Sequence, residues 1–442
     1  MSGRLTTSAA AYDRGLHAES GLRAKLERLD AGGLREGAAH GDEGEQQRAD
    51  ELLARIAWSR IAEPGDGAAG GLLAVVGARG ALEMLVRGAR PAEIVSRVRA
   101  ACSGDGVVLD LKTVKSALKR WMPRLDRGET LRDVENALAA GLRVVLPGDP
   151  RWPAGLADLG PHEPALLWLR GDPAHLRSPG LGVVGARAAT GYGTHITAEI
   201  VQGVCDARVT IVSGAAYGID AVAHRTALAA DSPTVAVLAG GADRPYPAAH
   251  TTLLERIAGA GTVCAEMVPG AAPTRWRFLQ RNRIIAALAG ATLVTEAGVR
   301  SGTLNTAGHA ATLGRPLGAV PGPVNSAASA GCHRLIREYG AALVTNSREA
   351  CELLGFDDPF GDRLDFSGID DGGEARESAL HRRVLDALPL RGGLDAVEIA
   401  RRAGLDPGEV RGALAELELL QRVRRRDSPG AGTPEWMLRR RE

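Results

Sequence analysis

An aromatic ring, two arginines and an amide lie close together in one stretch of the sequence. Phe278, Arg281, Asn282 and Arg283 precede an apolar run, and this pattern predicts a helix that carries them at its start. A flat ring stacks on any base and guanidinium groups bind phosphates, so the stretch predicts a sequence-independent contact with a nucleic-acid strand. The alternative is a helix start with solvated arginines. Aromatic residues make up only 3% of the chain, which favours a functional role for Phe278.

Small and polar residues follow several predicted strands. They are Gly185-Ala186-Arg187, Ser213-Gly214, Gly240-Gly241, and Glu296 with Ser301-Gly302-Thr303. Glycines let a ligand approach the backbone, and hydroxyls and free amides at helix starts donate to phosphate oxygens. Each position alone is equally consistent with a tight strand-to-helix turn. Together with Arg187, Arg281 and Arg283, they indicate an anionic ligand.

The common nucleotide-binding signatures are missing from this region. The sequence has no G-x-x-x-x-G-K-[ST] motif and no lysine after Lys119, which disfavours ATP hydrolysis. Arg187 places a long cation where a dinucleotide site needs a second glycine, which disfavours NAD. The 5 cysteines are scattered without a C-x-x-C pair, so neither a disulfide framework nor a zinc site is indicated. We therefore expect no cofactor and no metal.

Short runs rich in Val, Ile and Ala alternate with longer helical patterns between residues 181 and 345. The predicted strands are Leu181–Val184, Val209–Val212, Thr234–Leu238, Thr262–Ala265, Ala291–Thr295, Pro316–Val320 and Ala341–Val344. Strands that are apolar on both faces are typical of a parallel sheet covered by helices. The predicted fold class is therefore α/β, with ligands bound beyond the carboxyl ends of the strands.

Composition divides the chain into several segments. We expect a disordered tail over residues 1–48, where small and charged residues lack periodicity, and a small helical domain over 49–146. Residues 147–353 carry the predicted strands, and 354–377 read as an acidic linker. Three short amphipathic helices and an arginine-rich hairpin predict a further domain over 378–442.

Charge and hydropathy limit the classes of partner. The formal net charge of the 442 residues is +1, so attraction to a polyanion requires a local concentration of positive charge. No apolar run is long enough to span a bilayer, and the N-terminus lacks the apolar stretch of a secretion signal. We therefore expect a cytoplasmic protein without membrane contact.

Linked motifs follow one another in order between Leu181 and Ile336. They are Leu181–Arg187 with Thr190 and Tyr192-Gly193, Val212–Asp220 with Ala223-His224, Tyr246-Pro247, Arg281–Ile285, Glu296-Ala297, Ser301–Leu304, Val320–Gly322, and Gly331 with Leu335-Ile336. This order and spacing resemble the DNA-processing proteins of the DprA family, also called Smf. The arrangement after residue 378 likewise resembles the winged-helix domain of many members.

The resemblance implies an extended Rossmann-like core with an N-terminal helical, SAM-like domain and a C-terminal winged-helix domain. It implies a homodimer that binds single-stranded DNA without sequence preference, helps to load the RecA recombinase onto DNA in natural transformation, and needs no catalysis. Carried over to this sequence, the DNA-binding pocket consists of Gly185, Arg187, Ser213, Gly214, Phe278, Arg281, Asn282, Arg283, Ser301 and Gly302. Its arginines and Asn282 would contact phosphates, and Phe278 would stack on a base.

The sequence departs from the family pattern at a few positions. Tyr217 stands where the family usually has arginine, and its alternatives are stacking on a base and packing inside the protein. An alternative function comes from enzymes of the same superfamily, which split the N-glycosidic bond of nucleotides with a P-G-G-x-G-T-x-x-E motif. Thr306 stands where those enzymes carry the glutamate, which disfavours hydrolysis. Glu296 and Asp220 keep a nucleotide-sensing or weak hydrolytic role open.

Overall fold

The computed structural model describes residues 21–31, 42–101, 109–178, 180–356, 379–389, 392–419, 422–426 and 434–439. The chain divides into two units, Met1–Phe360 and Gly361–Glu442. Among the described residues, no single helix has the length and apolar content to cross a membrane. One pair of helices joined by a 109° bend, Gly67–Val76 and Ala78–Val86, meets those criteria together.

The first unit begins with helices. They are α1 Leu22–Leu29, α2 Asp42–Ile61, α3 Gly67–Val76, α4 Ala78–Val86, α5 Pro91–Ala101, α6 Leu111–Trp121 and α7 Arg127–Ala139. Asp66 caps α3 by accepting hydrogen bonds from the backbone N–H groups of Ala68 and Ala69. Trp58 and Trp121 are fully buried, and their rings meet edge to face with centroids 5.2 Å apart. These contacts join helices that are distant in sequence into one core.

The N-terminal helix α1 corrects the expectation of a disordered tail over residues 1–48. Leu22, Leu26 and Leu29 recur at helical spacing and are buried in the same core as Leu52 and Trp168. The helix is short and its other positions are polar, so its apolar stripe is weak in the sequence. Residues 1–20 and 32–41 of the predicted tail lie outside the described residues.

The core of the first unit is one large mixed sheet. Its strands are β1 Arg143–Val145, β2 Leu167–Gly171, β3 Gly180–Gly185, β4 Thr210–Ser213, β5 Thr234–Gly241, β6 Thr262–Met267, β7 Ala291–Glu296, β8 Leu317–Ala319 and β9 Ala342–Leu343. The spatial order is β1-β2-β6-β5-β4-β3-β7-β8-β9. Strands β3 to β9 are mutually parallel, whereas β2 pairs antiparallel with both β6 and β1.

Helices connect the parallel strands, and the last helix follows β9. They are α8 Gly191–Asp206, α9 Ile219–Ala229, α10 Thr251–Ala260, α11 Arg275–Leu288, α12 Thr303–Thr312, α13 Ala330–Glu338 and α14 Ser347–Glu352. Apolar side chains on the two faces of the sheet belong to different buried clusters, such as Leu181 and Ile211 in one and Val184 and Val212 in another. Burial on both faces explains why these strands are continuous apolar runs. The predicted α/β fold class and its strands are confirmed.

The second unit has the helices and hairpin of a winged helix. Its described elements are α15 Ala379–Ala387, β10 Leu394–Asp395, α16 Ala396–Ala403, α17 Pro407–Leu419, β11 Val423–Arg426 and β12 Glu435–Leu438. The strands form a sheet in the order β10-β12-β11. Gly404 ends α16 in the left-handed region, with a φ of 64°. Apart from residues 354–356, the predicted linker over 354–377 lies outside the described residues.

Candidate nucleic-acid interface

The candidate site lies where the strand order changes direction. Strands β4, β5 and β6 extend from β3 on one side, and β7, β8 and β9 extend on the other. A crevice opens at such a point because the loops after the two neighbouring strands leave in opposite directions. Arg187 follows β3, Ser213-Gly214 lie at the end of β4, and Ser301-Gly302 follow β7. The topology therefore places these predicted residues at one edge of the sheet.

Phe278 is the centre of the observed cluster. It lies in the first turns of α11, which Thr274 caps by accepting a hydrogen bond from the backbone N–H of Arg277 at 3.2 Å. The guanidinium carbon of Arg187 is 5.0 Å from the centroid of the Phe278 ring, and that of Arg281 is 5.8 Å from it. Both distances are typical of cation–π contacts. The structure thus brings Arg187, Phe278 and Arg281 together.

Arg281 is a buried cation held by neutral groups. The residue is 6% exposed; its Nη1 donates to the carbonyl oxygens of Gly214, at 2.7 Å, and Val237, and its Nε donates to Oδ1 of Asn282 at 3.2 Å. Within the described ranges, no carboxylate forms a direct salt bridge with Arg281, although the buried Asp220 carboxylate is close enough to stabilise its charge. A Cβ at Gly214 would lie 2.3 Å from Nη1. Glycine at position 214 therefore creates the space that the guanidinium fills.

The electrostatics of the cluster favour an anion. Burial lowers the pKa of Arg281 to about 10; Asp220 opposes this shift and Arg187 adds to it. Burial raises the pKa of Asp220, whose carboxylate is stabilised by Arg281 and by the backbone N–H groups of Ala216 and Gly214. Arg281 remains charged at neutral pH and repels Arg187. An anion bound beside both guanidinium groups would relieve that repulsion.

Arg187 is exposed and unpaired, whereas Arg277 and Arg283 on α11 are paired with carboxylates. No hydrogen bond or ion pair to Arg187 occurs in the part of the chain that the structure describes, and only its contact with Phe278 holds it. Arg277, by comparison, donates from Nε and Nη2 to the two carboxylate oxygens of Glu63 at 2.9 and 2.7 Å. The charge of Arg187 is therefore available to a ligand.

Arg283 lies on another side of α11 and is already paired. Its Nη1 and Nη2 each donate to Glu266 at 2.8 Å, its Nε donates to the carbonyl oxygen of His162 at 2.9 Å, and its Nη1 also donates to that of Gln280 at 3.0 Å. The Arg283 side chain is 3% exposed. Arg281 and Arg283 are two residues apart, so they face different sides of the helix. Arg283 therefore joins α11 to β6, and the structure does not bring it to the cluster around Phe278.

Ser213 and Gly185 support the crevice from below. The Ser213 hydroxyl is fully buried and donates to the carbonyl oxygen of Val183 at 2.6 Å. A Cβ at Gly185 would lie 2.5 Å from a side-chain carbon of Ile219, so glycine allows α9 to pack closely against the end of β3. Both residues shape the site without an exposed group of their own.

Ser301, Gly302 and Asn282 lie nearer to solvent. The Ser301 hydroxyl donates to Oγ1 of Thr303 at 2.8 Å and accepts from the backbone N–H of Thr303 at 3.2 Å. Gly302 is exposed with open space where a Cβ would be. Asn282 is half-buried and its Nδ2 donates to Oδ1 of Asn305 at 3.1 Å, which links α11 to α12. The start of α12 is therefore an open wall of the crevice, and Ser301, Gly302 and Asn282 carry no charge.

The carboxylates near the crevice have structural partners. Glu296 is 2% exposed and accepts hydrogen bonds from the backbone N–H of Thr190 at 2.9 Å and from its hydroxyl at 2.6 Å. These bonds fix the start of α8, because Thr190 is its cap. Thr306, at the position of the glutamate in the nucleotide-hydrolysing enzymes, is 2% exposed. Neither side chain is presented to solvent as a catalytic group.

Tyr246 belongs to the cluster and was missed from the sequence, as was the nearby Arg275. Tyr246 is 47% exposed and its ring centroid lies 5.5 Å from that of Phe278. Arg275 is exposed and lies three residues before Phe278, on the same face of α11. Helical spacing is the signal for Arg275. Tyr217, which had two open interpretations, is 48% exposed and meets the buried ring of His250 edge to face.

Comparison with protein families identifies two matching models. Residues 143–355 match the model described as DNA recombination-mediator protein A. Residues 371–428 match the model described as the DprA winged helix domain.

Similar proteins have been named in several bacteria. A putative DNA processing protein DprA from Mycobacterium tuberculosis (strain CDC 1551 / Oshkosh) is 43% identical over 358 residues, which cover 76% of this chain and 86% of that protein. The DNA processing protein DprA of Streptococcus pneumoniae (strain ATCC BAA-255 / R6) is 40% identical over 186 residues, 42% of this chain and 65% of that protein. An X-ray structure of DprA from Streptococcus pneumoniae aligns with a TM-score of 0.54 and 28% identity, covering 69% of this chain and 97% of that chain.

Proposed function

This chain belongs to the DprA family of DNA-processing proteins, and from that premise we propose that it binds single-stranded DNA in the crevice around Phe278. The binding is independent of base sequence. The phosphate contacts come from Arg187 and Arg281, with Asn282 and the start of α12 at Ser301 and Gly302 as the open wall. Gly185, Ser213 and Gly214 shape this site from within, and Arg283 holds α11 against β6 away from the crevice.

One observation carries the proposal. Two guanidinium groups, those of Arg187 and Arg281, lie within 6 Å of one aromatic ring, and within the described ranges neither forms a direct salt bridge with a carboxylate. Cations beside aromatic rings match the two parts of a nucleotide, its phosphate and its base. A single strand fits this arrangement better than a duplex, because its bases are free to stack on protein rings.

The test compares two arginines at opposite ends of the same strand. Arg187 follows β3, whereas Arg177 precedes it and is also exposed. Binding of a fluorescent oligothymidine is measured by anisotropy at several salt concentrations. We expect Arg187→Ala to weaken binding and to reduce the slope of log K against log salt by about 0.7, the value for one phosphate contact on a single strand. Arg177→Ala should leave the affinity and the slope unchanged. Equal effects of the two variants would contradict the proposed site.

We also propose that the protein acts as a binding protein and not as a hydrolase. Glu296 supports this because its carboxylate accepts two hydrogen bonds from Thr190 and is buried. A nucleotide-hydrolysing enzyme needs a carboxylate free to approach the sugar. Incubation with nucleoside monophosphates should therefore yield no free base.

The family further suggests assembly and partners. We propose a homodimer through the outermost strand β9, because no described strand pairs with its outer side. Leu343 in this strand and Tyr339 just before it are 53% and 51% exposed. Light scattering should show a dimer, and Leu343→Arg should produce a monomer. A dimer that survives the substitution would place the contact elsewhere.

The remaining proposal concerns the fate of the bound strand. We propose, on the family resemblance, that the protein works in the cytoplasm and helps to load the RecA recombinase onto DNA during natural transformation. The purified protein should shorten the lag before RecA hydrolyses ATP on single strands coated with single-strand-binding protein. An unchanged lag would contradict this role.

A further inference from the structure

The ring of Phe278 is already surrounded in the free protein. Arg187 and Arg281 approach it to 5.0 and 5.8 Å, and the Tyr246 ring lies 5.5 Å away at an interplanar angle of 55°. Phe278 itself is half-buried. A base could stack on it only by displacing one of these neighbours. Phe278 is therefore better placed to support the cluster than to receive a base.

Tyr246 has the properties that Phe278 lacks. It is 47% exposed, and no hydrogen bond to its hydroxyl occurs in the described part of the chain. Its inner side rests against Phe278, so an outer side remains for a ligand. Exposed aromatic rings next to cations are the usual stacking positions for unpaired bases.

The segment that carries Tyr246 is held in place before any ligand binds. Asp243 accepts hydrogen bonds from the backbone N–H of Gly270 at 2.9 Å with both carboxylate oxygens, and Arg244 donates to the carbonyl oxygen of Gly270 at 3.1 Å. Pro245 and Pro247 flank the tyrosine and restrict its backbone. Little conformational entropy is lost when such a ring receives a base.

We propose that Tyr246 is the base-stacking residue of the crevice, with Phe278 as its support and Arg187 as the neighbouring phosphate contact. This inference rests on the proposed binding of single-stranded DNA. It changes the role that the sequence suggested for Phe278. It also assigns a nucleobase ligand to a residue outside the predicted pocket.

The test separates stacking from phosphate binding. Affinities are measured for an oligothymidine and for an abasic strand with the same number of phosphates. Tyr246→Leu should weaken binding of the oligothymidine by about 5- to 150-fold, the range for loss of one base–aromatic stack, with no change in salt slope or in affinity for the abasic strand. Tyr246→Phe should bind like the wild type. This variant is the matched control, because it keeps the ring and removes only a hydroxyl that has no hydrogen-bond partner in the described part of the chain.

The outcomes distinguish the stacking role of Tyr246 from the proposed binding of single-stranded DNA. If Tyr246→Leu binds the oligothymidine with wild-type affinity while the wild type keeps its salt dependence, the stacking role is overturned and the phosphate site stands. If Tyr246→Leu weakens both strands equally, the ring acts on the backbone contacts and the stacking role is likewise overturned. If the wild type binds neither strand, the proposed function fails and the stacking role fails with it.

Discussion

The ion pair between Arg283 and Glu266 should contribute to the stability of the protein but not to its binding of DNA. Replacing Arg283 with methionine removes both hydrogen bonds to Glu266 and those to the carbonyl oxygens of His162 and Gln280. The Glu266 side chain is 14% exposed, so it would keep a largely buried charge without its partner. Breaking a buried ion pair in this way costs about 3–5 kcal/mol. We expect Arg283→Met to lower the free energy of unfolding by about that amount.

The measurement combines unfolding in urea, followed by tryptophan fluorescence, with the salt series on oligothymidine. The double variant Arg283→Met/Glu266→Leu should recover much of the lost stability, because it removes both charges. Folded Arg283→Met should keep the wild-type salt slope, since Arg283 does not reach the crevice. Arg187→Ala should change the free energy of unfolding by less than about 0.5 kcal/mol, because its side chain is exposed. Wild-type stability in Arg283→Met together with a smaller salt slope would refute this reasoning.

Three further predictions concern other residues of the first unit. Gly171 has a φ of 104° and a Cβ there would lie 2.3 Å from the carbonyl oxygen of Gly261, whereas Gly148 has a φ of 90° with open space around it. Urea unfolding should therefore show a larger loss of stability for Gly171→Ala than for Gly148→Ala, by about 1 kcal/mol or more. Equal losses would contradict the contact. Burial lowers the pKa of His224 to about 3 from its ordinary 6.5, so between these pH values only the unfolded chain binds a proton at this residue. The contribution of His224 to stability should therefore be full above pH 6.5 and fall below it by up to about 1.4 kcal/mol per pH unit. Unfolding measured at pH 7, 6 and 5 should show a weaker pH dependence for His224→Gln than for the wild type. Glu296→Gln should not alter the yield of free base from nucleoside monophosphates, and release by the wild type that disappears in this variant would favour the hydrolase.

The parallel strands could be predicted because each is an apolar run followed by a helical pattern. The run Ala291–Thr295, for example, is observed as Ala291–Glu296. Strand β2, Leu167–Gly171, begins with three buried apolar residues but was not predicted. It pairs antiparallel with β6 and needs no crossover helix, so the alternation that reveals the other strands is absent around it. Helix α1 was missed because its apolar stripe is only three leucines long.

The candidate site was predictable in position but not in the role of each residue. The sequence placed Phe278, Arg281 and Arg283 on one helix, and the helical period alone indicates that the two arginines diverge. It could not show that Glu266, on another strand, would pair with Arg283. Nor could it show the contact of Tyr246 with Phe278, because a loop carries Tyr246, helix α11 carries Phe278, and only the tertiary fold brings the two together.

The buried position of Arg281 has a consequence for DNA binding at high salt concentration. Its guanidinium lies on the carbonyl oxygens of Gly214 and Val237, where mobile ions have little access. Dissolved salt shields surface charges far more than interior ones. At ionic strengths that screen the charge of Arg187, the charge of Arg281 would still attract an anion. Any DNA binding that remains at high salt concentration would therefore come from the buried guanidinium of Arg281.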